Sequence, residues 1–347
     1  MFSKKGTAKG VTMDKQKIEK ELQDIEDSVR LIRTEINSGG GDPEVIFGSV
    51  VRIGKTLSNG GANIFTGYSC WEYLTDGRIR MWYRWERINL DNSKTNFFLS
   101  CLSEDGLSGQ WEGKDVENPL GNPLQGYGCT SSKKFKDNYY HIYNKAAVGQ
   151  RVEKRFFKSA NGHTWTEYAT AKKWELGEDH TLFVIKQGTS EEELIMMVRP
   201  QLPDHPLSNG KRHICIMRSK DGIVWTDPVQ IFTSTDYNEQ YYCMTVCEVK
   251  NNLYYGCVNI FNKSTEQVTM RIMTSTDLMN WTFKENIPLP VGVNQQFGSV
   301  SYNPYKQEID IVTLENENDH AGRGNPLNRF YIALNKVKVT GLEVRGI

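Results

Sequence analysis

"SKDGIVW", residues 219–225, puts a serine, an aspartate, a glycine and a tryptophan into seven positions of one turn. The Ser and Asp oxygens can accept from the turn's own backbone N–H groups, the Gly tolerates positive φ, and the Trp supplies a large apolar wedge. The stretch is one of four. "SEDGLSGQW" ends at Trp111, "SANGHTW" at Trp165 and "STDLMNW" at Trp281. The leading serines, Ser103, Ser159, Ser219 and Ser275, stand 56, 60 and 56 residues apart. A period of that length belongs to the blades of a β-propeller, with the tryptophans expected between blades as structural wedges.

Working outward, each turn follows a pair of β-rich runs joined by a polar hairpin. There are five pairs: "YSCWEYLTDGRIRMWYRW", "YGCTSSKKFKDNYYHIYNK", "TLFVIKQGTSEEELIMMV", "YYCMTVCEVKNNLYYGCVNI" and "GSVSYNPYKQEIDIVTL". The fifth pair has no turn of its own and ends in "NRFYIALNKVKV", while "EVIFGSVVRIG" precedes the first pair as a spare strand. Pairing the spare N-terminal strand with the C-terminal strands closes a ring and abolishes the free edges. The expected fold is all-β, a five-bladed propeller over residues 43–347.

Residues 14–38 read differently. Ile18, Leu22, Ile25, Val29, Ile32 and Ile36 recur at spacings of 4, 3, 4, 3 and 4, a heptad seam too narrow for a globular core face. A helix of this length is marginal alone, and Ile throughout the d layer favours more than two strands, so the expectation is a short coiled-coil stem forming a homotrimer. An arm, residues 1–13, precedes the stem, and a Gly-rich linker, residues 39–42, follows it.

Composition removes several classes of function. The 42 basic and 42 acidic residues cancel, which gives no general pull toward nucleic acid or anionic membrane. No apolar run is long enough for membrane insertion, and "MFSKKGTAKG" has no signal-peptide core. The seven cysteines lie mostly in strand-like runs without a Cys-x-x-Cys pair, and the six histidines lack ligand spacing. They read as reduced core thiols and no metal or cofactor site.

The Ser-x-Asp-Gly-x-x-Trp turn at Ser219–Trp225 resembles that of five-bladed propellers of the arabinanase, xylosidase and invertase type. A short trimerising helix ahead of such a propeller resembles the receptor-binding, or tail fibre, proteins of tailed bacteriophages. The second resemblance implies a virion component assembled in host cytoplasm. Its partners would be other virion proteins, reached through the N-terminal arm, and a host-surface glycan or polyol-phosphate polymer.

In a propeller the first strand of each blade starts, and the second ends, on the same face. The chain places Arg84, Trp85, Glu86, Gln125, Asp179, His180, Arg199, Glu239, Gln240, Asn259, Gln296 and Glu315 on that face. Amides, guanidinium groups and aromatic rings suit sugar hydroxyls and ring faces. The resembled glycosidases need acids on the first three blades, where this chain offers Asn63 and Gln125 at strand starts. The expectation is therefore glycan binding without a catalytic set, with Arg84 and Arg199 outside the strand core. The alternative is a glycoside hydrolase acting on a polysaccharide with an unusual acid set.

Overall fold

The computed structural model describes residues 45–58, 64–88, 94–106, 131–146, 152–162, 164–169, 180–199, 212–234, 238–287, 294–316 and 331–342. The stem and its seam, from Ile18 to Ile36, lie outside the described residues, and no helix occurs among those described.

Strand β1 is Ile46–Phe47 and β2 is Val51–Ser58. Blade 1 holds β3 (Ile64–Tyr73), β4 (Ile79–Ile88) and β5 (Lys94–Ser103). Blade 2 holds β6 (Ser131–Phe135), β7 (Asn138–Ala146), β8 (Val152–Ser159) and β9 (Thr166–Ala169). Blade 3 holds β10 (His180–Ile185), β11 (Glu193–Val198), β12 (Ile214–Ser219) and β13 (Val229–Phe232). Blade 4 holds β14 (Glu239–Lys250), β15 (Leu253–Asn262), β16 (Gln267–Ser275) and β17 (Thr282–Asn286). Blade 5 holds β18 (Asn294–Asn303), β19 (Glu308–Asn316) and β20 (Tyr331–Thr340), and β2 runs antiparallel to β20 with Val51 opposite Lys336. Each sheet is a meander. The five-bladed ring closes as its spare strand requires.

The turns work as their chemistry predicts. Ser103 Oγ accepts from Gly106 N at 3.0 Å, Ser159 Oγ from Gly162 N at 2.9 Å, Ser219 Oγ from Gly222 N at 2.8 Å and Ser275 Oγ from Leu278 N at 3.0 Å. Asp221 Oδ1 also takes the N–H groups of Ile223 and Val224, both at 2.8 Å. These bonds hold its carboxyl below the ordinary range. In the fourth turn Leu278 occupies the positive-φ position that Gly holds elsewhere, at +66°.

The turns also dock blades. Gly162 O accepts from Trp82 Nε1 of blade 1 at 2.9 Å, and Trp165 is buried with Cys70, Trp82, Tyr139 and Phe157. Trp225 packs on the core shared by blades 2 and 3, and Trp281 on the core shared by blades 3 and 4. All six cysteines among the described residues are buried, and none of these six forms a disulfide.

Gly222 shows how little room the docking leaves. Its φ is +76°, and a Cβ there would lie 2.4 Å from Tyr140 Cε1 on blade 2. Gly222→Ala is expected to lower the unfolding free energy by about 2–4 kcal/mol in urea titrations, from backbone strain plus overpacking. A change below about 0.5 kcal/mol would contradict the docking role.

His141 gives the fold an acid limit. The ring is fully buried, with Nδ1 at 3.0 Å from Ser132 Oγ and 3.2 Å from Ser131 O, and burial pushes its pKa down to about 3. An unfolded chain binds a proton here below about pH 6.5, whereas the folded chain stays neutral until about pH 3. Stability therefore falls as pH drops through that window, by up to about 1.4 kcal/mol per pH unit from this group. His141→Asn is expected to flatten the slope in urea titrations between pH 6.5 and 4.

Candidate functional site

Antiparallel meanders alternate direction, so β10 starts, β11 ends and β12 starts on one face of the ring. On that strand-start face the structure gathers His180, Arg199, Arg212 and His213, with Lys154 near the start of β8 beside them. His180 Nε2 donates to Ile142 O of blade 2 at 3.0 Å. The carbonyl can only accept, so Nδ1 is left to accept from Lys154 Nζ at 3.2 Å. Lys154 is wholly buried.

Blade 4 supplies aromatic support for the arginines. The Arg199 guanidinium carbon lies 4.3 Å from the Tyr242 ring centroid, and that of Arg212 lies 4.8 Å from Tyr242 and 5.0 Å from Phe261. Stacking of this kind immobilises a planar cation and lowers the cost of desolvating it. The sequence-based expectation for Arg199 needs correction here: the side chain is 1% exposed and belongs to the packing between blades 3 and 4. Tyr242, one blade further on, covers it.

Two of the carboxylates expected on this face, Glu315 and Glu239, are described and each meets an arginine. Glu315, fully buried, receives Arg52 Nη1 at 2.8 Å and Nη2 at 2.6 Å, and Thr313 Oγ1 donates to it at 2.9 Å. Glu239 is solvent-exposed, with Arg271 Nη2 at 3.3 Å. The first pair is bidentate and dry at its acidic end, and the second is a surface contact of little energetic weight.

Asn259 is different. The residue is fully buried, and neither Oδ1 nor Nδ2 has a hydrogen-bond partner within the chain. An orphaned buried amide costs about 1–3 kcal/mol unless water or a ligand meets it. Gln240 is also buried.

The remaining expected site residues divide in two. Arg84, Trp85 and Glu86 lie on β4 opposite Gly67, Thr66 and Phe65, and Gln296 lies on β18 opposite Leu314, which puts their backbones at the expected strand ends. Gln125 and Asp179 lie outside the described residues. No cluster suited to a metal ion occurs among the described residues. Lys154, Arg212 and His213 were missed from the sequence. A signal existed for Lys154, because strand alternation puts it on the same side of β8 as buried Phe156.

No protein-family model and no curated protein matches the chain. Solved structures do. A thermostable family-43 glycoside hydrolase superposes with a TM-score of 0.56 at 13% identity, over 84% of this chain and 97% of its own. The α-L-arabinanase of Penicillium chrysogenum, solved with arabinobiose, gives 0.52 at 13% identity over 84% and 98%. An N-acetylgalactosamine deacetylase from F. plautii, solved with blood group B trisaccharide, gives 0.55 at 13% identity over 83% and 95%. The shared property is the fold. This is a five-bladed β-propeller with structural neighbours among glycoside hydrolases.

The Arg52–Glu315 pair joins the closing strand to the strand-start face and is testable by itself. Arg52→Ala would leave a fully buried carboxylate without its fork and is expected to cost about 3 kcal/mol in urea titrations. Combining it with Glu315→Gln should recover most of that loss.

Proposed function

We propose that the protein acts on carbohydrate at its strand-start face, as a glycoside hydrolase of the five-bladed propeller type with a polysaccharide substrate. The observation that carries this reading is the buried polar set on that face, in which the Asn259 amide has no partner within the chain. Amides and stacked guanidinium groups match the paired hydroxyls and ring oxygens of a sugar, and the pairings open at Asn259 are ones a glycan can complete. The structural neighbours support the same class. Glycosidic cleavage uses two carboxyl groups. Glu239 is a solvent-exposed carboxylate of this face, and Asp179, next to His180 in sequence, is the candidate for its counterpart.

A second reading, glycan capture without cleavage, follows from one observation: Arg52 neutralises Glu315, the buried carboxylate of this face. In that case a trimer built through residues 18–36 would multiply a weak site by roughly 10² to 10⁴ in effective affinity. A tail fibre of a virion, bound to a host-surface glycan, is the biological setting such a trimer would suit.

The purified chain should be incubated with arabinan, xylan, mannan and fructan, with reducing ends and released oligosaccharides measured by chromatography. Release from one polymer, lowered at least about 100-fold by Glu239→Gln or Asp179→Asn, is the expected outcome. Saturable polymer binding with no release would transfer the protein to the second reading.

A further inference from the structure

The opposite face of the ring, where the hairpins between first and second strands lie, repeats one device. A carboxylate of one blade accepts from the neighbouring blade. Glu192 of blade 3 takes Lys136 N of blade 2 at 3.0 Å, and its other oxygen takes Gly188 N at 3.1 Å. Glu248 of blade 4 takes Lys186 N of blade 3 at 2.5 Å, and its other oxygen takes Asn252 N at 3.3 Å. Asp310 of blade 5 accepts from the Tyr73 hydroxyl, with its other oxygen 3.6 Å from Lys336 Nζ. Both oxygens of Glu192 and of Glu248 are hydrogen-bonded, and Asp310 Oδ1, which has no hydrogen bond, faces the Lys336 ammonium.

Glu72 of blade 1 plays the same part toward Lys134 N of blade 2, with a different result. Its Oε2 is buried and has no partner, although the residue is only 8% exposed. It lines a groove of about 440 Å³ between the hairpins of blades 1 and 2. That volume is of the size taken by small-molecule ligands. Gly162 stands beside the groove: a Cβ there would lie 2.3 Å from Arg80 Nη1, so glycine leaves room for Arg80 to cross to Asn161 O at 2.5 Å. Arg80 and Lys134 then sit 5.4 and 5.9 Å from the Tyr139 ring centroid.

From these observations we infer that the groove is a second ligand site, for a neutral sugar unit, on the face opposite the one proposed for catalysis. Three cations, Arg80, Lys134 and Lys136, and three carboxylates, Glu72, Asp76 and Asp137, line it. Such a balance disfavours a net charge on the ligand and offers both donors and acceptors to hydroxyls. Glu72 Oε2 accepts a hydrogen bond from a sugar hydroxyl, as both oxygens of Glu192 and Glu248 accept from N–H groups within the protein. Arg80 and Lys134 donate to neighbouring oxygens. A polymer held here stays near the ring without occupying the strand-start face.

The test uses the full chain and methyl glycosides of L-arabinose, D-xylose and D-mannose, with saturation-transfer NMR and crystal soaking. Two variants leave every hydrogen bond described above in place: Ala160→Trp, which fills the groove from an exposed rim position, and Lys134→Ala. Thermal melting confirms that both fold. The expected result is density for one glycoside within reach of Glu72, with binding abolished by Ala160→Trp and weakened at least fivefold by Lys134→Ala. Equal binding in both variants, no binding of any glycoside, or binding of glucuronate or inorganic phosphate alone would each overturn the inference. Polysaccharide cleavage at the strand-start face is read separately, so failure of one proposal leaves the other standing.

Discussion

Every blade of the ring presents its first strand as an edge, and that edge carries backbone groups with no fifth strand to pair them. A buried backbone group left unpaired costs about 1–3 kcal/mol, so five unpaired inner edges around an axis would sink a marginally stable domain. The sequence answers with side chains from the next blade. Ser131 Oγ accepts from Leu182 N at 2.7 Å, Cys70 Sγ accepts from Ser132 N at 3.1 Å, Ser301 Oγ donates to Trp71 O at 2.8 Å, and Thr181 Oγ1 donates to Met244 O. Small hydroxyls suit the axis because they satisfy polar groups without filling the space. What remains is a cavity of about 20 Å³, lined by Ser69, Thr245 and Ser299 among others, with room for water and for nothing larger.

The two ends of the ring have different chemistry for a topological reason. At the strand-end face the connections are tight hairpins, Leu74–Gly77 and Lys136–Asp137 among them, and their backbone N–H groups point at the neighbouring blade, where Glu192 and Glu248 accept them. Carboxylates are therefore consumed in holding blades together. At the strand-start face the described side chains are mainly cationic or amide, and His180 joins blades 2 and 3 by donating to Ile142 O while Lys154 donates to it. One ring of inter-blade contacts leaves acceptors at one end and donors at the other.

The fold was legible because its signals are local and repeated. A Ser-to-Gly hydrogen bond within one turn needs no knowledge of the rest of the chain; four copies at nearly constant spacing give the blade period, and the five strand pairs with the spare N-terminal strand give the blade number and the closing strand. The site was legible only in part, since strand direction assigns a residue to a face but burial depends on the next blade. Arg199 sits at the strand end foreseen for it, yet Tyr242, more than 40 positions later, decides that it is buried. Lys154 shows the reverse error: a lysine in a third strand reads as solvent-facing until its parity with Phe156 is noticed. Asn259 lies toward the end of β15, and its lack of a partner could not be foreseen, because that is a property of everything around it.

Burial of cations on one face bears on how a ligand is recognised there. Lys154 and Arg199 are each no more than 1% exposed, so neither can swing toward a ligand as a surface side chain would. Their contribution is a fixed field. A fixed donor array costs no reorganisation when a ligand arrives, whereas flexible side chains lose about 0.5–1.5 kcal/mol each on being immobilised. The stacking of Arg199 and Arg212 on Tyr242 serves the same end, holding two like charges close through one aromatic face. Under the proposed function, preorganisation of this kind suits recognition of a hydroxylated ligand, and it places the stability of blades 2 to 4 and the chemistry of the face in the same few side chains.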